Sequence, residues 1–215
     1  LVEPETVLDP LGGLDVSPWF VRVDSPEEAD AAIVFAESPA CNPYSAEDAK
    51  AGGNGYLPIT LQYRPYTAET ARPVSIAGGD FREDFTNRSY LGKKNTCWNE
   101  ADLDNILDCR RAMPGKPVIV VETLSNPMVV AEFEREADAI VADFGVSREA
   151  VLDVIFGRFA PAGRLPFQMP RDMATVEAHA EDRALDLEAH VDEFGNAYDY
   201  GFGIGYDGKR LDRQP

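Results

Sequence analysis

Apolar positions along the chain fall into two kinds of pattern. Ala31-Ala32-Ile33-Val34-Phe35, Val118-Ile119-Val120-Val121 and Ala139-Ile140-Val141 are apolar without alternation. Such runs predict strands buried on both faces, as in a parallel sheet covered by helices. Between them the spacing turns helical. Asn99 is placed to cap a helix carrying Leu103, Ile106, Leu107 and Arg110, which Pro114-Gly115 ends. Asn126-Pro127 is expected to open a second helix with Val129, Val130 and Phe133. Ser147 is expected to cap a third, with Val151, Leu152, Ile155 and Phe156 turned inward and Gly157 near its end. Pro26-Glu27-Glu28-Ala29 predicts the first turn of a short helix before the first strand. Strands alternating with helices predict an α/β fold, a mostly parallel sheet with helices on both faces.

One stretch breaks this alternation. From Glu37 to about Trp98 the chain is rich in Gly, Pro, Asn and Tyr, and only residues 58–63 and 73–76 look strand-like. So long an irregular excursion is uncommon in a compact domain unless it has a use. In α/β proteins the loops beyond the carboxyl ends of strands carry ligand-binding groups, which makes this loop, 37–98, the leading candidate for a site. Residues 1–25 read as an N-terminal connecting segment, broken by Pro10, Gly12, Gly13 and Pro18, and the domain proper as residues 26–215. Near the other end, residues 161–170 look extended, residues 172–193 form an acidic polar stretch, and an aromatic-glycine run follows from Tyr198 to Tyr206.

The 215 residues are 44% hydrophobic and 27% charged, with a net charge of -18. Such an acidic surface repels phosphates, which argues against a nucleic acid or an anionic membrane as partner and leaves neutral ligands such as sugars open. No apolar run approaches the roughly 18 residues of a spanning helix. No basic-then-apolar leader is visible at the start. Cys41, Cys97 and Cys109 lack metal-ligand spacing and leave an odd one over in any disulfide scheme, so ordinary thiols in a reducing compartment are expected. That favours a cytoplasmic location; an extracellular one stays open, because the sequence begins at Leu1 and reads as a fragment or a processed chain. Part of an active site is therefore expected to lie elsewhere.

Other motifs carry less. Gly201-x-Gly203-x-Gly205 lacks the preceding buried strand and following helix of a dinucleotide loop. His179 and His190 lie among acids, but their spacing matches no metal motif, and a solvated acidic connector is expected there. Asn87-Arg88-Ser89 fits a glycosylation triplet, a pattern common by chance.

An ordered series of motifs resembles the C-terminal α/β sandwich domain of glycoside hydrolase family 3, the β-glucosidase and β-xylosidase group. Lys116 to Val121 followed by Asn126-Pro127 looks like that family's strand and helix start, and Ala137 to Val141 followed by Phe144-Gly145 like its next strand. Ala160-Pro161-Ala162-Gly163-Arg164-Leu165-Pro166-Phe167-Gln168-Met169-Pro170 resembles its hallmark "NPSGRLPVTFP", where Arg164 and Leu165 are expected to pin the connection. Tyr200-Gly201-Phe202-Gly203-Ile204-Gly205-Tyr206 is similar to its "YPFGYGLSY" ending, and residues 29–37 to its first strand. The chain departs from the family at Phe144 to Glu149, where a Gly-Gln-Glu-Gly-like turn is usual, and at Gly52-Gly53-Asn54-Gly55-Tyr56, which replaces a short Gly-Asp turn.

The resemblance implies a retaining β-glycosidase whose nucleophile is an aspartate on a separate (β/α)8 barrel, for which this sequence has no segment. That chemistry needs two carboxyl groups about 5–5.5 Å apart across the anomeric carbon. It also implies that this domain lends the second, the general acid/base, from the loop after its first strand. Glu37, Glu47 and Asp48 lie there, Asp48 ranking last; each could instead be a solvated surface acid. Sugar sites pair aromatic platforms with planar hydrogen-bonding groups. Tyr56 and Arg88 are the candidates for contacting substrate, among Tyr44, Tyr63, Tyr66, Tyr90 and Trp98, most of which are expected to pack the loop down. The expected partners are a β-linked glucoside or oligosaccharide and the N-terminal barrel of the same protein. Self-association stays open, and no cofactor or metal is implied. The other reading is a non-catalytic carbohydrate-binding or assembly domain on the same scaffold.

Overall fold

The computed structural model describes residues 9–70, 89–179 and 185–211. In chain order its elements are β1 (Ala32–Glu37), α1 (Ala46–Lys50), β2 (Tyr66–Thr67), β3 (Lys94–Asn95), α2 (Glu100–Ala112), β4 (Val118–Thr123), β5 (Ala139–Asp143), α3 (Arg148–Ile155) and α4 (Met173–Ala178). The main sheet has the order β1-β4-β5 and is parallel throughout, with Glu37 facing Thr123 and Thr123 facing Asp143 at its carboxyl edge. This is an α/β architecture.

Burial follows position in the sheet. Val118, Val120 and Val121 of the central strand are inaccessible, as their unbroken apolar run predicts. Most of β1 and β5 is only half-buried, which corrects the expectation of double burial for all three runs. Among the described residues each of these strands pairs on one side only, which leaves its outer flank less covered than that of the central strand.

Alternation sorts the side chains between two faces. On one face Leu103 and Ile106 of α2 pack into a core with Ala36, Val118, Val120, Met128 and Phe133. Burying each such side chain contributes roughly 1.5–3 kcal/mol. On the other, Arg148 at the start of α3 lies over the Phe35 ring, 4.8 Å from its centre. Ser147 caps α3 as expected, accepting the Ala150 N–H. Phe156 is not inward: it is 42% exposed and stacks on Phe20 at 5.7 Å. The segment before β1 thus straps α3, and the Trp19 indole donates to Asp153 at 2.7 Å.

Four further expectations are corrected. Residues 26–29 form a hydrogen-bonded turn, not a helix. After Asn126-Pro127 there is no α-helix but a pair of 3-10 turns, Val130–Glu132 and Glu134–Glu136. The backbone here is committed elsewhere: Val129 N–H donates to Leu61 O at 2.7 Å, and the Glu132 carboxylate accepts the N–H groups of Tyr63 and Arg64 at 2.6 and 3.0 Å. Those same bonds keep residues 58–63 out of any strand, helped by the Thr60 hydroxyl bonding locally to Gln62. Residues 172–193 are not simply a solvated connector. They begin with α4, capped by Asp172, and bury His190 against Tyr198. The 73–76 segment lies outside the described residues.

The extended stretch 161–170 pairs with the aromatic-glycine run through Leu165 N–H to Phe202 O and Gly201 N–H to Leu165 O, both 2.8 Å, and Met169 N–H to Tyr198 O, 2.9 Å. The contact is so close that a Cβ on Gly203 would stand 2.4 Å from Gly163 O.

Candidate functional site

The excursion begins and ends at one place, the carboxyl end of β1. Asn99, just before α2, makes no side-chain cap for that helix. Its amide reaches across instead, donating to Glu37 O at 3.0 Å and Ser38 O at 3.2 Å while accepting the Ala40 N–H at 2.9 Å. Trp98 N–H adds a bond to Ala40 O at 3.0 Å, so the outgoing and returning chains lie side by side.

Beyond this neck the chain builds a small ribbon. Tyr44 and Tyr56 form an antiparallel bridge, with Ser45 N–H bonded to Gly55 O at 2.7 Å and Leu57 N–H to Pro43 O at 2.9 Å. The ribbon encloses α1, whose cap Ser45 accepts the Asp48 N–H at 3.1 Å. Gly55 has φ +78°, and a Cβ there would meet the Tyr44 ring at 2.3 Å, so the turn requires glycine. The turn is held from inside by Asp48, which accepts the Lys93 ammonium at 2.6 Å and the Gly55 N–H at 2.7 Å. Lys93 also donates to Asn54 Oδ1 at 2.6 Å. The Lys93 bond, then the Gly55 bond, hold the Asp48 carboxyl below its ordinary range. A carboxyl so held is a poor proton donor, and Asp48 is a structural group here.

Glu37 and Glu47 differ from it. Both are exposed, and neither side chain hydrogen-bonds or ion-pairs with a described residue. Glu37 ends β1 in register with Thr123, whereas Glu47 rises from the first turn of α1. Tyr56 is half-buried and meets Tyr44 edge-on, with ring centres 6.5 Å apart. Arg88 lies outside the described residues, as does Asn87. Tyr63 is wholly buried and serves the core, Gln62 is turned back onto Arg64 O, and Tyr66 bonds Glu177. Trp98 is 71% exposed and flanks a cavity of about 240 Å³ lined also by Cys41, Ile59, Leu61 and Asn126.

Beneath the neck lies Glu122, a carboxyl on the central strand that is 1% exposed and touches the Tyr63 hydroxyl. Burial pushes its pKa up to about 8. Sequence reasoning passed over it, although a lone acid in an apolar strand run was a visible signal. Next to it, Asp143 accepts the Gly145 and Val146 N–H groups at 2.7 and 3.3 Å and pairs with Arg148 at 3.7 Å. These bonds organise the turn where the chain departs from the expected pattern.

Comparison with known proteins agrees with the topology and motifs. The sequence model of the glycosyl hydrolase family 3 C-terminal domain matches residues 21–206. The chain belongs to that family. Beta-glucosidase C of Emericella nidulans is 44% identical over 84 residues, 39% of this chain and 14% of the relative. Probable beta-glucosidase L of the same organism is 30% identical over 189 residues, 76% of this chain and 25% of the relative. Periplasmic beta-glucosidase of Salmonella typhimurium is 27% identical over 107 residues, 43% of this chain and 14% of the relative. This family 3 domain thus spans between 14% and 25% of the length of these relatives, which are glycosidases by name.

Proposed function

We propose that this domain is the acid/base-bearing part of a retaining β-glycosidase that acts on terminal β-linked sugars of glucosides or oligosaccharides. The nucleophilic aspartate belongs to an N-terminal (β/α)8 barrel of the same longer protein. The observation that carries this reading is the exposed Glu47, whose carboxyl has no partner among the described residues, on the clamped ribbon that also carries Tyr44 and Tyr56. A carboxyl next to aromatic faces suits a sugar's leaving oxygen and ring. Glu37 stands at the sheet edge, outside that ribbon.

In the first step Glu47 donates its proton to the glycosidic oxygen while the barrel carboxylate attacks the anomeric carbon. In the second, ionised Glu47 takes a proton from the water that releases the sugar from the barrel.

The test combines the domain with its barrel and assays an aryl β-glucoside. Glu47→Ala is expected to lower turnover by about 10²–10⁴-fold, with azide restoring it, while Glu37→Ala stays near the parent. Azide rescue of Glu37→Ala alone would transfer the role to Glu37. Unchanged activity in both variants would leave a binding or assembly role for the domain. On its own the domain is expected to fold and to release no aglycone; measurable turnover would contradict the two-part site.

A further inference from the structure

We propose that Cys41 and Cys97 form a reversible disulfide that closes the neck of the excursion. This does not rest on the glycosidase reading. The outgoing and returning chains are tied on both sides of the two cysteines, by Trp98 N–H to Ala40 O at 3.0 Å and by Asn95 Nδ2 to Asn42 O at 2.9 Å. Cys41 and Cys97 therefore stand opposite one another between the ties. Their thiols turn toward one short segment, Cys41 Sγ to Thr60 O at 3.8 Å and Cys97 Sγ to Gln62 O at 3.1 Å. Each thiol is close enough for Cys41 to act on the ionisation of Cys97. Facing residues on adjacent chains stand about 4.5–5.5 Å apart at Cβ, and a disulfide needs about 3.5–4.5 Å, so closing the bond asks for a shift of about 1 Å. Cys109, on α2, is the thiol left over.

Access sets the order of events. Cys41 is half-buried and lines the cavity beside Trp98, whereas Cys97 is 3% exposed. The oxidant required is a small-molecule disulfide, RSSR. The Cys41 thiolate attacks one of its sulfurs, the RS–SR bond breaks, and RS⁻ leaves and takes up a proton. The Cys97 thiolate then attacks the Cys41 sulfur and expels the second RS⁻. The two protein thiols lose two electrons and two protons, and RSSR becomes two RSH. Burial pushes the Cys97 thiol up to about 12, so the second step is slow at neutral pH and quickens as pH rises. The same burial denies the reduced form any stabilisation as a thiolate, so it does not oppose oxidation. The product joins the chain leaving β1 covalently to the chain entering α2 and fixes the base of the ribbon that carries Glu47.

The experiment treats the reduced chain with oxidised glutathione, quenches with an alkylating reagent and maps the peptides. A Cys41–Cys97 crosslink with Cys109 alkylated is expected, forming about tenfold faster per pH unit below the Cys97 value. Cys109→Ser should crosslink like the parent, Cys41→Ser and Cys97→Ser should not, and dithiothreitol should reverse both the link and a rise in melting temperature. Glutathione still retained on Cys41 with Cys97 alkylatable after incubation at about pH 10, where the second step is fast, or a crosslink that includes Cys109, would overturn the proposal.

Discussion

The hydroxyl of Tyr63 lies 3.1 and 3.2 Å from the two carboxylate oxygens of Glu122, and 2.7 Å from the main-chain oxygen of Glu37. A phenol has one proton to give. The 2.7 Å separation is the ordinary length of an O–H···O bond, so that proton points to Glu37. The contacts with Glu122 then call for a proton on the carboxyl. Burial first, and the neighbouring carboxylates Asp102 and Asp143 next, raise Glu122 to about 8, so it is mostly neutral at neutral pH.

This gives a signed pH dependence. A folded-state pKa above the unfolded value contributes stability that is complete below the unfolded 4.5 and is lost as pH rises through about 8. Glu122→Gln, which keeps the shape and a donor without ionising, should remove that loss. The variant should gain on the parent by a few kcal/mol, on the order of 2–4, between about pH 5 and pH 9. Urea unfolding across this range checks it. A constant difference would mean that Glu122 does not titrate there.

The Asp48–Lys93 pair has the opposite sign. The lowered carboxyl contributes stability that is present above the unfolded 3.8 and is lost as pH falls through its folded value. Lys93→Met should let Asp48 return toward 3.8, as carboxyl resonances in an NMR titration would report, and should quicken proteolytic cutting within residues 51–55. An unmoved Asp48 titration would show that the Gly55 N–H alone holds it.

The scaffold was legible where one rule governs. Unbroken apolar runs named the three described strands of the main sheet, and the 3.6-residue spacing named α2 and α3. The excursion was recognisable as irregular, but its internal order was not, because it comes from pairings distant in sequence. Glu132 captures the amides of Tyr63 and Arg64, and Lys93 closes on Asp48, across dozens of residues that no local period links. The helix expected after Pro127 failed for the same reason: its backbone and its acid were taken by the excursion. Of the site candidates, Glu37, Glu47 and Tyr56 lie where their loop was expected, whereas the fate of Asp48 depended on a lysine that spacing could not assign.

Two glycines should resist substitution for different reasons. Gly203→Ala would drive a methyl group against the backbone oxygen of Gly163, 2.4 Å away, where no side chain can swing aside. A loss of about 1–3 kcal/mol is expected. Gly55→Ala is strained by its φ of +78° and also meets the Tyr44 ring. Because that ring can move, its signature should be a changed Tyr44 environment, seen in near-ultraviolet dichroism, along with a loss of about 1–2 kcal/mol. A Gly203→Ala protein as stable as the parent would show that the 161–170 pairing is looser than its bonds imply.

Asn99 separates two roles that one residue could fill. It occupies the cap position of α2, but its amide bonds Glu37 O, Ser38 O, the Ala40 N–H and the Asp102 carboxylate rather than the free N–H groups of the helix. Removing it should cost about 1–3 kcal/mol, because the Ala40 N–H and the Ser38 carbonyl lose their partner at the neck. Asn99→Ala alone would not say why, since a lost helix cap costs a similar amount. Asn99→Ser resolves the matter: serine is as good a cap as asparagine but too short to span the neck. Both variants should therefore be destabilised alike in urea unfolding, and hydrogen exchange at Ala40 and Trp98 should quicken in both. If Asn99→Ser keeps full stability and protection, the residue serves the helix, and the neck is held without it, by the Trp98–Ala40 and Asn95–Asn42 bonds.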